Sequence, residues 1–280
     1  MKLKDIAVDT LNIIDRGYYI NPDQEKIDIS ESLRKAEEDT VLYKPDDFEG
    51  VFESYNKSIA DRTRFQTEYE VTGETSMEAM ERLSEWESNL ACLNFASAKN
   101  PGGGFMGGAQ AQEESLARSS GLYYCISQRS MMYSVNRNMR SCLYTDHMIY
   151  SPGVPFFKND HGKLLPRPYL TAMLTVPAVN AGVVKQQGHP DEIARIDEVM
   201  MARMDKLLTI AALHGHEVLV LGAWGSGVFR NPADKVAGYF KYHLKENKKF
   251  EGIFRKVVFA VLDKTSGQTT INAFKERFEK

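Results

Sequence analysis

The sequence predicts an α/β protein with a mixed or parallel sheet covered by helices on both faces. From residue 64 onward, short apolar runs alternate with longer amphipathic segments, which is the pattern of strands alternating with helices. Two of the apolar runs lead directly into glycine-rich loops, as happens where strands of such a sheet end. The chain has 280 residues, of which 42% are hydrophobic, so it can fill a substantial core.

Residues 1–62 differ from the remainder because they are strongly charged and rich in helical patterns. The segment LKDIAVDTLNIIDR is amphipathic and is followed by Gly17, a residue type that commonly ends helices. The segment SESLRKAEED predicts a short polar helix. We therefore expect residues 1–62 to form an N-terminal helical extension, packed on a larger unit of residues 63–280.

The larger unit is expected to contain the following elements in chain order. RFQTEYEV is a strand, and TSMEAMERLSEWE is a helix with Thr75 or Ser76 as its N-cap. NLACLNFAS is a buried strand, and a helix is predicted from Gln112 to Ser127. The later strands are HMIYSPGVPFF, YLTAMLTVPAV, EVLVLGAWG and RKVVFAVLD, and the later helices are DEIARIDEVMMARMDKLLTIAALHG, PADKVAGYFKYHLKE and INAFKERFEK.

Charge and cysteine content exclude several classes of protein. The net charge is −3 and the isoelectric point is about 6.1, whereas broad capture of nucleic-acid phosphates needs a basic excess. Cys92, Cys125 and Cys142 are widely spaced, which favours neither a disulfide framework nor a zinc site. The N-terminus lacks the pattern of a secretory signal, and no apolar run is long enough for a membrane span. We expect a cytoplasmic protein that has no membrane partner and recognises no specific nucleic-acid sequence.

Two glycine-rich loops follow buried strands and are candidates for binding a nucleotide diphosphate. Gly102, Gly103 and Gly104 stand in the first loop, and LGAWGSGVFRNP forms the second. Such loops allow a ligand to approach exposed backbone N–H groups closely. Neither loop matches the dinucleotide or the P-loop fingerprint, so the spacing alone does not identify the nucleotide.

Paired acids at the start of the predicted helix are candidates for proton transfer. Glu113 and Glu114 are consecutive, so their side chains leave a helix about 100° apart, and we expect one to be catalytic and the other structural. The usual glycosidase arrangement of two flanking carboxylates then needs a second acid from elsewhere in the chain. A single carboxyl group at a glycosidic oxygen can still donate a proton and later accept one from water.

The segment GGGFMGGAQAQEE resembles the signature of poly(ADP-ribose) glycohydrolases. The surrounding LNFASAKNPGGGFMGGAQAQEESLARSSGLYY, with YSPGVPFF and GAWGSGVFRNP, is similar to the short, microbial type of that family. The resemblance implies a macrodomain-like mixed sheet between helices, in residues 63–280. It also implies hydrolysis of the ribose–ribose O-glycosidic bond of poly(ADP-ribose), with ADP-ribose as product and no metal or other cofactor.

The same resemblance implies roles for individual residues. Glu114 is the family's catalytic acid and Glu113 positions ribose hydroxyls. The ligand-binding residues implied are Gly102, Gly103, Gly104 and Gln112 on one side, and Gly225, Ser226, Gly227, Val228 and Phe229 on the other. The last five correspond to the family's diphosphate loop, with Phe229 against the ligand.

Simpler interpretations of the same residues remain open at this point. Both acids suit the first turn of a helix, where they complement its dipole by about 0.3–1 kcal/mol each. His214 and His216 fit a helix end better than a metal site, and Cys125 fits a core position. Two other functions are also compatible: a module that binds ADP-ribose without chemistry, and a hydrolase acting on mono-ADP-ribosylated protein or nucleic acid.

Overall fold

A computed structural model describes residues 2–59 and 64–279 of the chain. The helices are α1 (Leu3–Arg16), α2 (Ser30–Glu38), α3 (Phe48–Ile59), α4 (Ser76–Ser84), α5 (Gln112–Ser119), α6 (Leu122–Ser127), α7 (Met131–Asn138), α8 (Ala181–Gln187), α9 (Pro190–Ala194), α10 (Ile196–Leu213), α11 (Ala233–Lys241) and α12 (Thr269–Phe278). The strands are β1 (Tyr18–Ile20), β2 (Lys26–Asp28), β3 (Val41–Tyr43), β4 (Glu68–Thr72), β5 (Leu90–Phe95), β6 (Met148–Lys158), β7 (Leu164–Val176), β8 (Val218–Leu221) and β9 (Lys256–Ala260).

The central sheet has seven strands in the order β3-β6-β7-β5-β8-β9-β4. The five strands from β7 to β4 pair in parallel. β6 is antiparallel to both β7 and β3 at one edge. The sheet is therefore mixed, as the sequence predicted. β1 and β2 form a separate two-stranded hairpin.

Side chains on the two faces of the sheet belong to two separate apolar cores. Along β5, Ala91 and Leu93 point into one core, while Leu90 and Cys92 point into the other. This alternation follows from the two-residue period of a strand. Because both cores are covered by helices, the strands are apolar on both faces and carry polar groups mainly at their ends.

The first 59 residues contribute to the central sheet as well as to helices. β3 pairs with β6 at the sheet edge, and Phe48, Val51 and Tyr55 of α3 are buried in the larger core. The domain boundary predicted between residues 62 and 63 lies outside the described residues and stays a prediction. No helix in residues 2–59 or 64–279 is long and apolar enough to cross a membrane.

Two of the predicted helices are interrupted. The helix expected from Gln112 to Ser127 is divided into α5 and α6, because Ser120 is extended and bridges Phe156, and Gly121 donates its N–H to the Pro155 carbonyl at 2.9 Å. The long helix expected from residue 191 is divided at Arg195 into α9 and α10. Gly121 was a local signal for the first interruption, whereas no glycine or proline stands at Arg195 to signal the second.

Candidate active site

A cleft of about 1390 Å³ opens where β5, β8 and β9 end. Its walls come from the loops that follow these three strands and from the first turns of α4 and α5. The carboxyl ends of parallel strands are where open α/β sheets bind their ligands. Both predicted glycine loops and both predicted acids line this cleft.

Gln112 fixes the first turn of α5 against the end of β5. Its side-chain oxygen accepts the N–H of Phe95 at 2.8 Å, and its amide nitrogen donates to the Leu93 carbonyl at 2.8 Å and to Ser76 Oγ at 3.0 Å. Both amide hydrogens are thus donated within the protein. The geometry supports a role in positioning the two glutamates that follow, and a direct contact of Gln112 with ligand stays a prediction.

Glu113 is buried, with 3% of its surface exposed. Its Oε2 accepts the N–H of Ser97 at 2.6 Å, and its Oε1 accepts from Asn94 Nδ2 at 3.3 Å. Burial raises the pKa of Glu113 to about 8, and the adjacent Glu114 adds to the rise, while the hydrogen bonds from Ser97 and Asn94 oppose it. Near neutral pH this carboxyl group is therefore largely protonated and has an O–H to donate.

Glu114 is only partly buried and faces the cleft. Its Oε1 accepts the N–H of Gly104 at 3.0 Å. A Cβ on Gly103 would lie 2.8 Å from the Glu114 carboxyl carbon and 3.3 Å from Glu113 Oε2. The two acids therefore converge beside Gly103. The expectation that consecutive helical positions would separate them is wrong, because both side chains bend toward the glycine, although burial still gives them different environments.

The first glycine loop surrounds the two carboxyl groups. Gly102 and Gly103 have backbone φ values of 69° and 58°, which residues other than glycine rarely adopt. The N–H of Gly103 donates to the Asn100 carbonyl and that of Gly104 to Glu114. These two amides are occupied within the protein, so the loop holds the Glu114 carboxylate. Phosphate binding by Gly102, Gly103 and Gly104 stays a prediction.

The second glycine loop offers open hydrogen-bond donors to a ligand. Gly225 has a φ of 74°, and a Cβ there would lie 2.6 Å from both Ala178 and Asn231 side chains. Within the described residues, the N–H groups of Gly227, Val228 and Phe229 donate to no acceptor. The buried hydroxyl of Ser226 is also without a partner in that part of the chain. This set matches the amides of an anion-binding nest.

The opposite wall of the cleft contains acids that sequence reasoning did not single out. Thr75 caps α4 by accepting the N–H of Glu78 at 3.0 Å, and its Oγ1 donates to Asp160 Oδ2. Asp160 lies in the turn between β6 and β7, and burial raises its pKa. The sequence did not lead us to Asn94 and Ser97, which donate hydrogen bonds to Glu113. A polar Asn94 inside the apolar run NLACLNF was nevertheless a signal of a functional position.

His214, His216 and Cys125 lie among residues of the fold and not in the cleft. His214 Nε2 lies 2.8 Å from the Tyr43 hydroxyl, and His216 Nε2 lies 2.9 Å from that of Tyr150. Burial lowers the pKa of His216 to about 4. Cys125 is fully buried in the second core. Among the described residues, no three His, Cys, Asp or Glu side chains are grouped as metal ligands.

A family model described as the catalytic domain of microbial-type poly(ADP-ribose) glycohydrolase, PARG, matches residues 7–159. No curated protein matches the chain significantly. Solved structures of PARG do match it. One from Thermomonospora curvata is 42% identical, covers 99% of both chains and superimposes with a TM-score of 0.91.

Two further solved structures contain ligands. The Thermomonospora curvata PARG bound to the inhibitor ADP-HPD is 42% identical over 99% of both chains, with a TM-score of 0.89. The PARG from Deinococcus radiodurans in complex with ADP-ribose is 46% identical, with a TM-score of 0.82, and the match covers 88% of this chain and 97% of that one. Such identity over almost the whole length, together with the family model that matches more than half of the chain, shows that this protein belongs to the microbial-type poly(ADP-ribose) glycohydrolase family.

Proposed function

We propose that this protein is a poly(ADP-ribose) glycohydrolase that cleaves the ribose–ribose O-glycosidic bond and releases ADP-ribose, with Glu114 as general acid and base. The observation that carries the proposal is a glutamate carboxylate, held by the Gly104 N–H, in the same cleft as an open anion-binding loop. The solved relatives support this proposal, since one is described with ADP-ribose and another with the inhibitor ADP-HPD.

In the proposed reaction, Glu114 in its acid form protonates the oxygen of the leaving ribose as the glycosidic bond breaks. The positive charge that develops on the other ribose lies near the pyrophosphate of the same ADP-ribose unit, bound by the amides of Gly227, Val228 and Phe229. Water then adds to the sugar carbon and gives its proton to the Glu114 carboxylate, which restores the starting acid. General acid–base help of this kind contributes about 10²–10⁴ in rate.

Glu113 is proposed to orient the reacting ribose. Because this carboxyl group is largely protonated near neutral pH, it can donate a hydrogen bond to a sugar hydroxyl and adds little negative charge beside Glu114. Its own position is fixed by Ser97 and Asn94. The two acids have different proposed roles because Glu113 is buried and Glu114 is only partly buried.

The variant Glu114→Gln tests the proposal. Release of ADP-ribose from automodified polymerase should fall by about 10²–10⁴-fold, while calorimetric affinity for ADP-ribose stays within a few-fold. Glu78→Gln is the matched control, because Glu78 lines the same cleft and Gln can accept the Thr75 N–H just as Glu78 does. Near-normal release by Glu114→Gln would remove this residue from the mechanism.

The same assay separates the alternative functions. Polymer, mono-ADP-ribosylated protein and mono-ADP-ribosylated nucleic acid are incubated with enzyme side by side. A module that only binds ADP-ribose releases nothing from any of them, and a hydrolase of mono-ADP-ribose acts only on the last two. Our proposal predicts that the polymer is the preferred substrate. We also propose a cytoplasmic location, which the three buried, unpaired cysteines support.

A further inference from the structure

The charges that line the cleft are unfavourable for a polyanion. The acids among its lining residues are Glu74, Glu78, Glu113, Glu114, Asp160 and Asp263, whereas Lys264 is the only lysine or arginine among the described residues that line it. Backbone amides can hold the pyrophosphate of one bound ADP-ribose unit. The adjoining unit of a polymer carries a second pyrophosphate, which these amides do not reach. Apart from Lys264, cations that attract the second pyrophosphate must therefore come from residues beyond those that line the cleft.

Two cations, the partly exposed Lys99 and the exposed Arg137, lie beside residues that line the cleft near Glu113. Ser97 donates its N–H to Glu113, and its Oγ accepts the N–H of Lys99 at 3.4 Å. Lys99 is thus only two positions after Ser97, the residue that holds Glu113. Arg137, on the last turn of α7, donates Nη1 to the Lys99 carbonyl at 2.8 Å. The Arg137 guanidinium is therefore held beside the backbone of Lys99.

A series of contacts leads from Lys99 to the second glycine loop. Lys99 Nζ lies 6.0 Å from the centre of the Tyr144 ring, which in turn lies 6.1 Å from the ring of Phe229. Arg230 follows Phe229 and is exposed, with its side chain against Gly182. None of the three cations forms an ion pair with a described Asp or Glu. Their charges are available to a ligand.

The structure of the polymer indicates which group these cations would bind. The leaving group of the proposed reaction is the ribose of the adjoining ADP-ribose unit, and that ribose carries a pyrophosphate on its 5′ carbon. When the glycosidic oxygen lies at Glu114, this pyrophosphate is one sugar away from the catalytic acid. Lys99 lies between Ser97 and Asn100, which both line the cleft, and Arg137 is bonded to the Lys99 carbonyl.

We propose that Lys99 and Arg137 form a subsite for the pyrophosphate of the adjoining ADP-ribose unit, with Arg230 farther along toward the second glycine loop. This inference rests on the proposed function, because it names how the polymer beyond the cleaved bond is held. Arginine forms paired hydrogen bonds to phosphate oxygens, and lysine provides a mobile point charge. The subsite favours polymer over a single ADP-ribose group, and it makes polymer binding sensitive to salt.

The test measures binding and turnover separately. Polymer and ADP-ribose affinities are measured in a Glu114→Gln background, with and without Lys99→Gln and Arg137→Gln together. At low salt the polymer Kd should rise about tenfold, and the slope of log Kd against log salt should decrease by about one to one and a half, since two phosphate contacts are lost. ADP-ribose affinity should change by less than about twofold. In the otherwise wild-type enzyme the same pair should raise KM for polymer more than it lowers kcat.

Two comparisons isolate the charge. Lys99→Arg with Arg137→Lys keeps both cations and should restore polymer affinity, and Lys35→Gln with Lys248→Gln removes two exposed lysines that do not line the cleft and should change nothing. Unchanged polymer affinity, or an equal loss of ADP-ribose affinity, would overturn the subsite. Absence of polymer hydrolysis by the wild-type enzyme would overturn the proposed function, while the binding experiment would still decide the subsite.

Discussion

At the scale of single residues, burial determines the protonation of Glu113, and this has a consequence for stability. Its pKa in the folded protein is about 8, against 4.5 for an unperturbed glutamate. Between these values the folded state keeps a proton that the unfolded chain has released. We therefore expect Glu113 to lower the free energy of unfolding as pH rises from about 4.5 to about 8, by at most ~1.4 kcal/mol per pH unit.

Urea unfolding at a series of pH values measures this contribution. Glu113→Gln cannot titrate, so the difference between wild type and this variant should change steadily across that range and level off above pH 8. Glu38→Gln is a suitable control, because Glu38 is exposed on α2. Parallel pH profiles for wild type and Glu113→Gln would contradict the assignment.

Gly103 gives a second prediction at this scale. An alanine there would require a φ of 58° and would place its Cβ against the Glu114 carboxyl group, 2.8 Å from its carbon. We expect Gly103→Ala to displace this carboxylate and lower the rate of ADP-ribose release by at least about tenfold, with the overall fold retained, as a small misplacement of a catalytic group is costly.

Gly107→Ala is the matched control for this change. Gly107 lies in the same loop without a positive φ, and a methyl group added there would have no neighbouring atom within 4 Å. Initial rates of both variants, with circular dichroism to verify the fold, make the comparison. Equal activity of the two variants would mean that Gly103 does not shape the acid site.

The candidate site was predictable from sequence where one short segment supplies it. Glu113, Glu114 and the glycines before them lie within thirteen residues, so their proximity needed no tertiary information. Asp160 is 46 positions beyond Glu114 and reaches the cleft only because the turn between β6 and β7 lies beside α4. The pairing of distant elements determines such residues, and one sequence does not reveal it. The assigned roles of the site residues stay predictions until the variants are measured.

At the scale of elements, helix α1 supports the loop that holds the Glu114 carboxylate. Ala7 packs against Phe105 and Ala117, which belong to that loop and to α5. Thr10 Oγ1 donates to the Arg118 carbonyl at the end of α5. The ammonium group of Lys158, on β6, is buried and donates to Thr10 Oγ1 at 2.7 Å. α1 therefore connects the sheet to α5, which carries Glu113 and Glu114.

The ion pair between Lys158 and Asp9 gives a prediction for this element. Nζ lies 2.7 Å from Asp9 Oδ2, and 1% of the Lys158 side chain is exposed against 41% of Asp9. Burial lowers the pKa of Lys158, and Asp9 opposes that shift. Asp9→Asn removes the compensating charge, so the free energy of unfolding should fall by about 1–3 kcal/mol, less than for a fully buried pair.

A second substitution separates charge from packing. Adding Lys158→Met to Asp9→Asn removes the uncompensated ammonium group and should recover part of the lost stability, because an apolar side chain suits this buried position. Glu38→Gln, which breaks the exposed pair with Arg34, should cost less than about 0.5 kcal/mol. Chemical denaturation of the wild type and these variants tests this, and a double variant less stable than Asp9→Asn alone would argue against it.

At the scale of the whole molecule, the sequence predicted the central strands of the sheet but not the edge strand β3. The runs at β5, β8 and β9 are almost entirely apolar, since both faces of these central strands are buried. β3 has three residues, and its partner β6 begins 105 positions later. A strand this short has no periodicity of its own, so only its pairing identifies it.

The edge strand leads to a prediction about the whole chain: residues 63–280 alone should not form the native fold. Without the first 62 residues, β6 loses its partner β3, and the larger core loses Phe48, Val51 and Tyr55. Burial of each such side chain contributes about 1.5–3 kcal/mol, and typical domains are stable by only about 5–15 kcal/mol. The fragment should therefore lack a cooperative urea transition and a native near-ultraviolet circular dichroism spectrum. Coexpression with residues 1–62 as a separate chain should restore both, together with ADP-ribose release. A fragment that unfolds cooperatively and hydrolyses polymer at the full-length rate would instead establish residues 63–280 as an independent catalytic domain.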